Sequence, residues 1–275
     1  PMPIYPCTVV VPNVRPSPVI VHVPHAATGI PEGLRHRFLL DDAELQREIV
    51  RVTDWHVDHL FAWALDYGAT LMVNTHSRLV FDPERFREND PAEDVGQGVV
   101  YTRTTDGRPL AHITPEDRAA RIENLYDPYH EMLTVVVERA LERFGMAFIL
   151  DCHSFPTVPV PTETATSSVR PDLCIGTDAF HTPPRLAEAL KQAAEAEGLV
   201  VHRDSPFAGT VTPLEYLGKD PRVMSVMIEV RRDLYCDEAT GEPNECWDLT
   251  RALLEHCVGW AVWKTIRERA RRGAV

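Results

Sequence analysis

Three apolar runs in this chain end on side chains that could do chemistry. "VIVHVPH" places His25 at its tip, "ILDCHS" carries Asp151 and His153, and "MIEVRR" carries Glu229 and Arg231. Imidazoles and carboxylates inside apolar runs are costly to bury unless they pair or bind a cation. If the three runs are parallel strands, their ends share one edge of a sheet, and that convergence is the main functional signal. Each residue also has a plainer reading. His25 alone can be a hydrogen-bonding loop anchor. Asp151 and His153, two apart on a strand, point to one face, so the carboxylate can hold one ring nitrogen and free the other for a metal, or orient another group. Glu229, between Ile228 and Val230, is either a general base of raised pKa or half of an ion pair with Arg231 or Arg78.

Two histidines leave a catalytic zinc site one ligand short. The best third candidate is Asp54 in "VTDWHVDH", with helix capping after Thr53 as its alternative and Asp58, His56 and His59 as competitors. His56 and His59 lack the H-E-x-x-H pattern and read as surface residues. Arg78 and Arg85 in "NTHSRLVFDPER" can grip a carboxylate with planar, two-pronged donors. Cys152 adjoins His153, but neighbours on a strand point to opposite faces, which argues against a thiol nucleophile.

The elements that must position these groups alternate between strands and helices. Strands are expected at 17–25, 69–74, 147–153, 171–177, 199–204 and 223–235, with a short strand and loop over 77–85. Helices are expected over 41–68, with a capping box of Asp41 and Glu44, a break near Thr53 and a stop at Gly68; over 114–145, capped by Thr114; over 183–198; and over 244–273. Residues 86–115 read as a long loop with a hairpin around "GVVYTRTTDGRPL", and residues 158–169 as loop. Apolar runs without period-two alternation suit strands covered on both faces. The expected class is therefore α/β, a three-layer α/β/α domain with a central, mostly parallel mixed sheet, and ligands bind such sheets beyond the strands' carboxyl ends.

Bulk properties narrow the function. At 275 residues, 44% hydrophobic and 25% charged, the chain reads as an ordinary globular protein, here one domain over 1–275. A net charge of −13 argues against nucleic acid and anionic membranes as partners. No stretch approaches a membrane span and the start lacks a signal-peptide pattern. The six scattered cysteines form no C-x-x-C pair and fit a reduced, cytoplasmic setting.

The ordered set "VPHAATGIP", "TDWHVDHLF", "NTHSRLVFDPER", "ILDCHSFP", "FAGTVTPLEYLGKD" and "MIEVRRDLY" resembles the N-formylglutamate amidohydrolase family over roughly residues 17–265. The resemblance implies a zinc-carboxypeptidase-like, phosphorylase/hydrolase-like fold. It also implies hydrolysis of N-formyl-L-glutamate to formate and glutamate, a step of histidine degradation. Residue by residue, it makes His25, Asp54 and His153 ligands of Zn²⁺ or another divalent metal. Glu229 becomes the general base and Arg78 and Arg85 substrate ligands. The residues themselves add Arg231 as a further substrate or oxyanion ligand and Asp151 as an orienting partner. The H-x-x-E pattern of the related carboxypeptidases is missing, since Thr28 stands three after His25, so the acidic ligand comes from elsewhere. The expected partner is a small anionic N-acyl amino acid. Competing classes are a related N-acyl amino-acid deacylase or carboxypeptidase, and a non-catalytic metal- or amino-acid-binding protein.

Overall fold

Proline and turn residues bracket each β-branched run and fix where the strands start and stop. The computed structural model describes residues 5–163 and 169–272. Residues 164–168 of the expected loop lie outside the described residues. Among the described residues, seven strands form one sheet in the order β1-β3-β2-β4-β7-β5-β6. They are β1 Cys7–Val10, β2 Val19–Val23, β3 Thr70–Asn74, β4 Ala147–Phe155, β5 Leu173–Gly176, β6 Val201–Arg203 and β7 Val223–Arg231. β2 runs parallel to both β3 and β4, β4 is parallel to β7, and β6 is parallel to β5. Only β1 on β3 and β5 on β7 are antiparallel, so the mixed, mostly parallel sheet is as expected.

Helices cover both faces. Val19, Val21, Phe148, Leu150, Cys152, Val226 and Ile228 pack with Leu186, Leu190, Leu254 and Val258 on one side. On the other side Ile20, Ala147, Ile149 and Val223 pack with Val136, Val137 and Ala140 of the helix Asp127–Phe144. That helix covers only the amino-terminal half of its face. Beyond it the same face of β4 continues as Asp151, His153 and Phe155, and that of β7 as Met227 and Glu229. The register sets Asp151 beside Met227 and His153 beside Glu229.

Several elements differ from the sequence expectation. β1 was not expected; "CTVV" is a short edge strand. Residues 77–85 form turns, because Val80 N–H bonds Ser77 O, Asp82 accepts from the amide of Glu84, and Pro83 has no amide to give. The hairpin near 98–110 reduces to one isolated bridge between Arg103 and Pro109. The helix over 41–68 ends at Val52, as the Thr53 break implies, and resumes as a short helix Val57–Leu60 and a 3₁₀ turn stopped at Gly68, φ 86°. The long helix from Pro115 carries a π-turn at Ile122–Tyr126. Pro128 lacks the N–H that would bond four residues back, and the widened turn absorbs that defect. No helix among the described residues is long and apolar enough to cross a membrane.

Candidate active site

Each candidate ligand is delivered by a local device. Pro24 ends β2, its carbonyl accepts from Asn74 Nδ2 at 3.0 Å, and His25 follows, 3% exposed. Thr53 caps the preceding helix by donating its hydroxyl to Ile49 O, and the next amide, Asp54 N–H, bonds His25 O at 3.0 Å. That backbone bond ties the loop to the strand end. His153 arrives from β4 and Glu229 from the adjacent position on β7.

The three side chains converge. His25 Nδ1 lies 3.2 Å from His153 Nδ1 and 3.6 Å from Asp54 Oδ2, and His153 Nδ1 lies 3.3 Å from Asp54 Oδ2. Their far atoms are all engaged. His25 Nε2 bonds Asp82 Oδ1 at 2.8 Å, His153 Nε2 bonds Asp151 Oδ1 at 3.0 Å, and Asp54 Oδ1 accepts from Arg232 Nη2 at 2.9 Å. With the ring protons on the far nitrogens, two lone pairs and a carboxylate oxygen face one another with no donor between them. That is the electron-pair arrangement of a cation site. Ligand bonds of about 2.1 Å in a tetrahedron put donors about 3.4 Å apart, and the three separations here bracket that value. The residues therefore fit a small divalent ion.

A second set, His22, Glu84 and Asp151, also has donor atoms within 4.8 Å of one another. His22 and Asp151 within it are already bonded, while Glu84 Oε1 is buried without a hydrogen-bond partner among the described residues. Tyr129 donates its hydroxyl to His22 Nε2 at 2.7 Å, and His22 Nδ1 donates to Asp151 Oδ1 at 2.9 Å. This network supports His153 from behind.

The electrostatics follow from burial. Asp82 is fully buried, which alone would raise its pKa; the charges of Arg78 and Arg85 and the bond from His25 hold it well below the usual carboxylate range. Asp54 is also held low against its desolvation: where the facing ring nitrogens of His153 and His25 carry protons they donate to it, and the charge of Arg232 adds to this. Glu229 is less fully compensated. Burial pushes it up to about 8, nearby positive charge pulling it down only in part, and its Oε2 is buried without a hydrogen-bond partner among the described residues.

These groups open onto a cavity of about 900 Å³, lined among others by His25, Asp54, His153, Glu229, Arg78 and Arg85. Arg78 sends Nε and Nη2 to Asp82 Oδ2 at 3.2 and 2.7 Å, and Arg85 Nε donates to Gln97 O at 3.1 Å. Arg231 is placed elsewhere. It pairs with Asp172 at 2.9 Å and Asp233 at 2.7 Å, and it does not line the cavity. The next residue, Arg232, does. It is 4% exposed and clamps Asp54, Arg51 O and Ser154. The competitors also fall outside: His56 bonds Gly241 O, and His59 is exposed beside Asp58. Cys152 faces the opposite side of the sheet, and burial holds its thiol well above its ordinary pKa. Sequence reasoning missed Asp82, Arg232 and His22. His22 had a signal, a polar side chain in the middle of "VIVHV".

A mixed α/β sheet binds its ligands beyond the carboxyl ends of its strands, where these imidazoles and carboxylates lie. The sequence profile of the N-formylglutamate amidohydrolase family matches residues 17–236, and the chain belongs to that family. Two N-formylglutamate deformylases are similar along most of their length. That of Pseudomonas putida is 28% identical over 228 residues, 80% of this chain and 82% of its own. That of Pseudomonas aeruginosa is 28% identical over 259 residues, 88% and 93% of the two chains. The crystal structure of N-formylglutamate amidohydrolase from Ralstonia eutropha JMP134 superposes with a TM-score of 0.80 at 26% identity, covering 98% of this chain and 100% of that one. A gene product of Agrobacterium tumefaciens shares the fold at TM-score 0.69 and 20% identity, over 95% of each chain.

Proposed function

We propose that this protein is a metal-dependent amidohydrolase that cleaves N-formyl-L-glutamate to formate and L-glutamate. The observation that carries this reading is the convergence of His25, Asp54 and His153 beside an unpartnered, buried Glu229. A divalent ion held by those three side chains, zinc in this reading, would polarise the formyl oxygen and acidify a neighbouring water. Asp82, Asp151 and Arg232 keep the ligands' electron pairs aimed at the cluster.

Glu229 accepts a proton from the attacking water as its oxygen bonds to the formyl carbon. It then gives that proton to the glutamate nitrogen as the C–N bond breaks. A carboxylate titrating near 8 suits this exchange, and added positive charge at the cluster brings it closer to neutrality. Arg78 and Arg85 supply local cationic groups for the substrate carboxylates in an otherwise acidic protein. Arg78 also suits the oxyanion that develops on the formyl oxygen. A cytoplasmic setting belongs to the same reading, through the scattered, unpaired cysteines.

The test is equimolar release of formate and glutamate when zinc-loaded protein is given N-formyl-L-glutamate. The expected result is sustained turnover within the ordinary enzymatic range of about 1–10³ s⁻¹. Folded, zinc-loaded protein that releases no formate above the uncatalysed background overturns the reading.

A further inference from the structure

The cavity is larger and more divided than a formyl substrate requires. At about 900 Å³ it lies near the top of the range that holds drug-sized ligands. N-formylglutamate has only about a dozen non-hydrogen atoms. The two sides of the cavity also differ in kind. The cationic residues, Arg78 and Arg85, come from the segment after β3, on the β2–β3 side of the cluster. The opposite side, over β7 and β5, carries a group of apolar side chains beside Glu229, Thr210 and Thr212. Phe155 follows His153 by two residues on the same face of β4, and Met227 precedes Glu229 by two on the same face of β7. Phe207, Leu214 and Leu217 complete that wall from the segment before β7.

This wall is built rigidly. The rings of Phe155 and Phe207 meet edge to face at 5.6 Å. The guanidinium of Arg170 lies over both, 5.5 and 5.6 Å from their centroids, and is fixed by Glu163 through bonds of 2.6 and 2.7 Å. Phe155 is 2% and Met227 6% exposed, whereas Leu214 presents 57% of its surface at the mouth.

An amide is planar and trans, so its two substituents leave the scissile bond in opposite directions. With the amino-acid carboxylates on the arginine wall, the substituent on the acyl carbon points across Glu229 toward Phe155, Phe207 and Met227. In a formyl group that substituent is a hydrogen atom, and the apolar wall goes unused. We infer that Phe155, Phe207, Met227, Leu214 and Leu217 form a subsite for an apolar acyl chain, so that N-acyl-L-glutamates with acyl groups of several carbons are also substrates. The step is the same hydrolysis: water supplies hydroxyl to the acyl carbon and a proton to the nitrogen as the C–N bond breaks, releasing a carboxylic acid and glutamate. The inference rests on the amidohydrolase reading given above.

The experiment compares kcat/KM of the zinc-loaded protein for N-formyl-, N-acetyl- and N-hexanoyl-L-glutamate, with Phe207→Ala and Leu214→Ala as variants. One methylene in an apolar pocket is worth about tenfold or more in discrimination. The hexanoyl substrate is therefore expected to exceed the acetyl one by at least about tenfold. In each variant the hexanoyl-to-formyl ratio is expected to fall by about tenfold. Leu214 is exposed, so its variant keeps the test valid if Phe207→Ala does not fold. Hydrolysis of the formyl substrate without the hexanoyl one overturns the subsite and leaves the amidohydrolase reading standing. A hexanoyl-to-formyl ratio unchanged in the folded variants also overturns it. Failure on all three substrates overturns the amidohydrolase reading itself, and the subsite with it.

Discussion

Replacing Asp151 by asparagine isolates the support behind the metal cluster, because Asp151 neither joins the cluster nor lines the cavity. Its Oδ1 accepts from His22 Nδ1 at 2.9 Å and from His153 Nε2 at 3.0 Å, while Oδ2 accepts from Val211 N–H at 3.0 Å. Asparagine offers one acceptor where the carboxylate offered two. If its oxygen faces the imidazoles, its amide N–H opposes that of Val211. If it turns around, its N–H opposes His153 Nε2, and the ring proton moves to Nδ1, the atom that must keep a lone pair for the metal. Restoring the competent tautomer forfeits a charge-assisted bond worth about 1.5–3 kcal/mol. That corresponds to a loss of about 10–100-fold in metal affinity, the size usual for such outer partners. The assay is zinc affinity by chelator competition, with thermal unfolding of both metal-free proteins to confirm equal folding. A folded Asp151→Asn protein whose zinc Kd stays within about twofold of wild type refutes the reasoning.

Three further outcomes are expected. Burial lowers His130 to about 4, against about 6.5 for an unfolded imidazole, with Pro83 O accepting from its Nε2. Between these values the unfolded chain binds the extra proton, so stability is complete above pH 6.5 and declines by up to about 3 kcal/mol on the way to pH 4; urea titrations should show this decline shrinking in His130→Gln, and an identical decline would remove His130 as its source. Arg232→Ala strands the buried Asp54 carboxylate and should destabilise metal-free protein by about 3–5 kcal/mol; a change below about 1 kcal/mol by chemical denaturation contradicts the clamp. His153→Ala should lose both stoichiometric metal and activity, and retained stoichiometric zinc by elemental analysis would remove it from the ligand set.

The sequence made the strand ends legible because a charged or imidazole side chain within an apolar run is conspicuous, as at His25, Asp151, His153 and Glu229. The same signal stands at His22, in the middle of a strand and not at its end. Asp54 could not be separated from a helix cap by spacing alone; its place is set by a long-range backbone bond to His25 O and by the clamp from Arg232. Asp82 lies in 77–85, which by sequence reads as a short strand and loop and does not stand out there. In fact that segment is a chain of turns in which donors converge on one carboxylate, with Arg78, Tyr101 and His25 all bonded to it. Arg231 and Arg232 show the limit of strand parity. Arg231 is in phase with Glu229, but β7 ends there, and the 3₁₀ turn Arg232–Leu234 brings the next guanidinium inward instead. The π-turn at Ile122–Tyr126 had Pro128 as its only local mark, yet the helix it interrupts delivers Tyr129 to His22.

The most direct test of the account is metal content and turnover measured together on Glu229→Gln. The cluster of His25, Asp54 and His153 is predicted to hold about one divalent ion per chain, as in wild type, while formate release from N-formyl-L-glutamate falls by about 10²–10⁴-fold. Turnover near the wild-type rate in that variant would contradict Glu229 as the base. Wild-type protein that releases formate with no bound ion would contradict the cluster as the metal site.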